Sequence, residues 1–126
     1  MTKDEAKKIF KKWTTNLGLD DWNLTLEFRD INRKQPNESE YADGLSNCNP
    51  MYKQAVITLD SNSMAKMTEE VIVHELVHCL TAETHDYIDR NFSDQEKIIK
   101  WFDYFNERQT TTIARILVRI NKDHGK

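Results

Sequence analysis

Apolar residues recur at helical spacing near the start of the chain, at Ala6, Ile9, Phe10, Trp13 and Leu17, while Lys3, Lys7, Lys8, Lys11 and Lys12 fall on the other side. Thr2 and Glu5 form a capping-box pattern ahead of this helix, and Gly18 is suited to end it in the left-handed conformation. The basic side reads as a solvated face, because so small a core needs Phe10 and Trp13 inside. The period then changes. Trp22, Leu24, Leu26 and Phe28 alternate with Asn23, Thr25 and Glu27, the signature of a half-buried strand. Residues 29–40 are polar, carry the Pro36-Asn37 turn signal, and predict an exposed loop. A weaker strand is expected from about Tyr41 to Cys48, closed by an Asn49-Pro50 turn, and Ala55, Ile57 and Leu59 alternating with Val56 and Thr58 predict a third.

After a polar stretch over 60–67, Thr68 followed by Glu69 and Glu70 opens a helix expected to reach about Ala82. Its middle, from Val71 to Leu80, is apolar on nearly every side apart from His74, Glu75 and His78, as in a helix at the centre of a fold. A polar link is expected over 83–92. Ser93 with Glu96 then forms a second capping box, and a long helix follows to about Asn121 with an apolar stripe of Ile98, Phe102, Phe105, Ile113, Ile116 and Ile120. No repeat, low-complexity tract or domain boundary interrupts the pattern. The expected architecture is α+β in one domain over 1–126: an N-terminal helix, a small sheet of about three strands, a central helix and a long C-terminal helix.

Composition narrows the function classes. With 126 residues and 38% apolar content the chain can build one core but not two. The formal net charge of -3 argues against a generic nucleic-acid binder, whose affinity comes from surplus Lys and Arg. No apolar run approaches the roughly 20 residues that span a bilayer, and the first residues show no uninterrupted apolar leader segment. A cytoplasmic monomer without nucleic-acid or membrane partners is therefore expected. Cys48 and Cys79 are too few for a disulfide scaffold and read as reduced, partly buried thiols.

One segment bears chemistry. His74-Glu75-Leu76-Val77-His78 matches H-E-x-x-H, a pattern that arises by chance in roughly one chain of this size in a few hundred. On a helix the two imidazoles lie one turn apart, about 40° from each other around the axis, and converge on one metal. Their borderline-soft nitrogens suit Zn²⁺, leaving room for a third protein ligand and a water whose pKa the metal lowers to about 7. Glu75 is displaced around the helix, where it reaches the water rather than the ion, the position of a general base. Three polar side chains in an otherwise apolar helix each need a partner, and a metal meets that need at once.

The order of elements together with this motif resembles the zincin metallopeptidases, in particular the gluzincins, and the small size is similar to minigluzincins and compact metallopeptidase-like proteins of phages and prophages. The resemblance covers about Trp22 to Leu117. It implies a zincin-like core, a zinc cofactor, and hydrolysis of a peptide or protein substrate, as an endopeptidase rather than an exopeptidase. It also implies a substrate strand added to an edge near Tyr41–Asn47, with residues 55–59 the next strand in. In gluzincins the third ligand is a Glu on a downstream helix, and Glu96 and Glu107 are the candidates here. Glu96 has a local explanation in its capping box. The surroundings of Glu107, followed by Thr110-Thr111-Thr112-Ile113-Ala114-Arg115, resemble the phage-type pattern, and the ligand role is carried over to Glu107.

On a helical wheel, however, Glu107 lies nearly opposite the apolar stripe. Either the helix is covered on both sides, with Thr110, Thr111 and Ala114 allowing close approach, or it bends at the threonines. His85 misses the spacing of histidine third ligands by one residue, and reads as a hydrogen bonder; His124 lies close to the end of the chain. Tyr87, His85 and Tyr104 are the candidates for stabilising an oxyanion. An alternative is a zinc-binding regulatory or interaction module with vestigial or partner-dependent peptidase activity. A purely structural zinc site fits less well, because Cys79 points about 100° away from His78.

Overall fold

The computed structural model describes residues 1–31 and 43–124, with side chains as far as Lys122. The expected polar loop therefore lies largely outside the described residues, as do Tyr41 and the side chain of His124. Helix α1 spans Lys3–Asn16; Thr2 caps it by accepting from the Glu5 N–H at 3.1 Å, and Gly18 follows the helix at φ 71°, in the left-handed region. Trp13 is buried and donates through Nε1 to Glu69 at 2.9 Å, which ties α1 to the first turn of α2.

Three strands form one mixed sheet in the order β1 (Asn23–Arg29), β3 (Gln54–Asp60), β2 (Gly44–Asn49). β3 is central, parallel to β1 with Leu26 opposite Ile57, and antiparallel to β2 with Ser46 opposite Ile57. A central strand buries both faces, so Ala55, Ile57, Thr58 and Leu59 are all buried, while β1 alternates between half-buried and exposed positions. β2 forms one edge. A short 3₁₀ helix, Ser61–Lys66, leads from β3 to α2, and Asp60 caps it by accepting from the Asn62 N–H.

Helix α2 runs over Glu69–Asn91, capped by Thr68. It does not stop near Ala82, as the polar composition beyond that point suggests. Residues 83–91 stay helical because Asp86–Arg90 pairs at i,i+4 and His85 is held both by Asp89, one turn on, and by Asp103 on the neighbouring helix. Ile72, Val73, Leu76 and Val77 face the core and are fully or almost fully buried, each contributing about 1.5–3 kcal/mol.

Helix α3 starts at Glu96 and runs to His124 without interruption. The Ser93–Glu96 capping box is not formed. Glu96 is already in the first helical turn, and its carboxylate pairs with Lys100 at 2.9 Å. A second correction concerns which face is buried. The residues packed inside are Asn106, Thr110, Ala114 and Val118, an i,i+4 row of small or short side chains, whereas Ile98, Phe105, Ile113, Ile116 and Ile120 are 36–49% exposed. Phe102 alone of the expected stripe is half-buried. The helix is continuous through the threonines and is not covered on both sides: close approach to α2 selects the small row, and the large apolar row faces outward together with Trp101, 63% exposed.

The two faces make opposite predictions. Ala114→Leu, inserted where the residue is wholly buried, is expected to cost about 1–3 kcal/mol in urea unfolding. Ile116→Ala on the outward row is expected to stay within about 0.5 kcal/mol of wild type. The reverse ranking would mean that α3 is packed the other way round.

Candidate functional site

The helix α2 presents His74 and His78 one turn apart, with ring centroids 4.9 Å apart and planes at 75°. The two Nε2 atoms face each other at 3.2 Å. Across from them, α3 supplies Glu107, whose Oε2 lies 3.2 Å from His74 Nε2 and whose Oε1 lies 2.9 Å from His78 Nε2. The row of small residues on α3 makes this approach possible, because Asn106, Thr110 and Ala114 take little room between the helices. Thr111, one turn beyond Glu107, donates its hydroxyl proton to the Glu107 carbonyl at 2.9 Å. Its oxygen is then left to accept from His74 Nδ1–H at 3.4 Å. When the imidazole is neutral, that bond favours the tautomer with the lone pair on Nε2, directed at the cluster; when it is protonated, Nε2–H donates to Glu107.

His74, His78 and Glu107 are thus brought together, each offering one ligand atom, with all these atoms within 4.8 Å of one another. Among the described residues no other group of His, Cys, Asp or Glu meets that criterion. Glu96 stands apart, exposed and paired with Lys100. His85 is also outside the cluster. It sits between Asp89 and Asp103, with its ring against Phe102 at 5.7 Å.

Glu75 is buried on the side of α2 that faces β2. Gly44 opens β2 beside it, and a Cβ at Gly44 would stand 3.0 Å from Glu75 Cγ and 3.3 Å from the Thr58 carbonyl oxygen. A Cβ at residue 44 would need the Glu75 side chain or the strand to give by a few tenths of an ångström, so the glycine suits this close approach. Ser46, two residues along β2, hydrogen-bonds the Glu75 carboxylate. Burial raises the Glu75 pKa above the usual carboxylate value, against the charges of His74 and His78 and the Ser46 bond, which pull it down. Glu107 behaves oppositely. Hydrogen bonds from His74 and then His78 hold its carboxyl far below the usual range, overcoming its desolvation. Burial opposes a charge on His74, but the bond to Glu107 and the charges of Glu75, Glu107 and Glu70 outweigh it and raise the pKa.

These groups line a cleft of about 710 Å³ between the edge strand, α2 and α3. One wall is Gly44 to Cys48 of β2, and the outer side of that strand has no sheet partner among the described residues. Cys48 Sγ contacts Cys79 Sγ at 3.5 Å, so Cys79, turned away from the histidines, is engaged with the strand. Of the three candidate oxyanion stabilisers, His85 alone lines the cleft. Tyr87 follows His78 by nine residues, which carries it to the opposite side of α2, and Tyr104 is exposed with the Arg108 guanidinium over its ring. Asn106, Asp103, Asp89 and Asp86 also line the cleft and carry no motif. Their one signal in the sequence is helical spacing: Asn106 and Asp103 precede Glu107 by one and four residues.

Two outcomes follow from this geometry. The His74–Glu107 pair stabilises the metal-free protein through a raised imidazole and a lowered carboxyl. The first contribution is complete below the ordinary imidazole value of 6.5 and is lost as pH rises through the raised one; the second is complete above 4.5 and is lost as pH falls through the lowered one. The stability difference between wild type and Glu107→Gln, from thermal unfolding of chelator-treated protein, is therefore expected to peak between those values; a difference flat in pH would refute the pairing. Gly44→Ala is expected to destabilise by about 1–3 kcal/mol in denaturant unfolding, unlike alanine at an unconstrained edge position. Comparison with known protein families, curated proteins and solved structures finds no match, and the chemistry of the cleft follows from the residues that line it.

Proposed function

We propose that this chain is a zinc-dependent metallopeptidase of the gluzincin kind, built on a zincin-like core, in which His74, His78 and Glu107 hold the metal and Glu75 is the general base. The observation that carries the reading is the convergence of two imidazole nitrogens and a carboxylate within 4.8 Å, on atoms directed at one another. Lone pairs so placed repel unless a proton or a cation lies between them. Their separations of 2.9–3.2 Å are close to the roughly 3.3 Å between neighbouring donors in a tetrahedral zinc shell with bonds of about 2.0–2.1 Å. Two histidines and a glutamate are also the donor set of zinc sites that keep a position open for chemistry.

When bound there, zinc supplies Lewis acidity to a water and to a peptide carbonyl. The remaining work belongs to the chain. Glu75 accepts a proton from the attacking water and returns it to the departing amine nitrogen. Its raised pKa suits the accepting half of that task, because a carboxylate of ordinary pKa takes up and holds a proton less readily near neutrality. Gly44 and Ser46 hold the Glu75 carboxylate in one orientation. Thr111 orients His74 through Nδ1. The outer side of β2 supports binding of an extended peptide through backbone hydrogen bonds.

One observation favours a second reading. Tyr87 and Tyr104 lie outside the cleft, which leaves fewer donors for an oxyanion and suits a zinc-binding interaction module without turnover. Metal content and proteolysis separate the two. About one zinc per chain is expected in wild type and in Glu75→Gln, with cleavage of a mixed peptide library by wild type and a loss of at least about 100-fold in the variant. Zinc in both with cleavage in neither supports the module, and a protein indifferent to zinc sinks both readings. Glu107→Gln is expected to weaken zinc binding by more than the roughly 10–100-fold typical of losing an outer-shell partner, and Glu96→Gln to leave it unchanged. Because His74 holds its proton more tightly than an ordinary imidazole, calorimetry is expected to show more protons released on zinc uptake at pH 6 than at pH 9.

A further inference from the structure

Beside the cluster, the cleft contains a group that the proposed chemistry does not use. Asn106 is 9% exposed and lines the cleft, yet its carboxamide has no hydrogen-bond partner among the described residues. A buried amide left unpaired is unfavourable until something entering the cleft satisfies it. The wall around it is acidic. Asp103 lies three residues earlier on α3, close enough around the helix to share that side, while Asp86 and Asp89 come from α2; all three line the cleft, and among the described residues no Lys or Arg does. His85 bridges Asp89 at 3.2 Å and Asp103 at 3.1 Å, and Arg90 pairs with Asp86 at 3.2 Å from outside the lining. Among the described residues three carboxylates therefore face at most two cations, and the wall keeps a negative excess even when His85 is protonated.

We propose that this wall is a subsite for a basic side chain of the bound peptide, arginine above all, with Asp103 and Asn106 its principal contacts. The inference rests on the peptidase reading for its ligand being a peptide. A planar guanidinium carries five N–H donors in a fixed fork, so it can donate to the Asp103 carboxylate and to Asn106 Oδ1 at once. An ammonium supplies the charge without the fork, citrulline supplies part of the fork without the charge, and an apolar side chain leaves Asn106 unpaired.

The test uses binding first. Zinc-loaded Glu75→Gln protein is titrated, by fluorescence anisotropy, with short peptide sets in which each position in turn carries arginine, lysine, citrulline or norleucine. At one position arginine is expected to bind at least about tenfold more tightly than citrulline, with lysine between them. Asp103→Asn and Asn106→Ala, checked for folding by circular dichroism and for retained zinc, are each expected to reduce that ratio to about threefold or less, and added salt to narrow it. Equal affinity for arginine and citrulline at every position, no binding of any peptide, or a preference unchanged in both variants would overturn the subsite. The same sets are then offered to wild type. Cleavage without basic preference removes the subsite and leaves the peptidase; basic-selective binding without cleavage removes the peptidase and leaves the subsite.

Discussion

Two helices have to meet at close range for the His74–His78–Glu107 cluster to exist, and the rest of the molecule is arranged around that contact. The α3 side of it is Asn106, Thr110, Ala114 and Val118, side chains short enough for the backbones to approach. The α2 side carries the histidines at a spacing that only a helix turns into a pair. Bulky residues at this seam would hold Glu107 beyond reach of both imidazoles. The large apolar residues of α3 are excluded for the same reason and face outward, where they add little to the core. The helix thus gives up burial of its most hydrophobic row in exchange for proximity at the site.

The sheet does the corresponding work for Glu75. β3 fixes β2 at the edge, β2 presents Gly44 and Ser46 to α2, and the carboxylate is enclosed on the one side where no ligand atom is required. Because Glu75 is removed from water and Glu107 is hydrogen-bonded to two imidazoles, two chemically identical groups are driven in opposite directions of acidity. Environment, more than residue type, makes one carboxyl easier to protonate and keeps the other charged.

Much of this was legible before any coordinates. The caps at Thr2 and Thr68, the period-two alternation of β1 and β3 and the His-Glu-His spacing are local signals that carry through into the structure, whereas the equally local Ser93–Glu96 box does not. What escaped reading depends on contacts between distant segments. The second half of α2 looks like a linker because it is polar, but its helix is held by Asp86–Arg90 and by Asp103 reaching His85 from α3. The buried face of α3 was misassigned because amphipathic reasoning takes the most apolar row to be the inward one. Glu107 entered through a family likeness alone, as no periodicity singled it out. Asn106 carries no motif, and its interest lies wholly in being enclosed without a partner among the described residues.

Glu107, Asn106 and Asp103 share one helix, and that helix is seated chiefly on α2. Undocking of α3 would therefore dismantle the cluster and the acidic wall in a single motion, while leaving the two histidines in place on their own helix. A ligand that tied the two helices together would act as a clasp on the tertiary fold, and its occupancy would report on whether the last quarter of the chain is home.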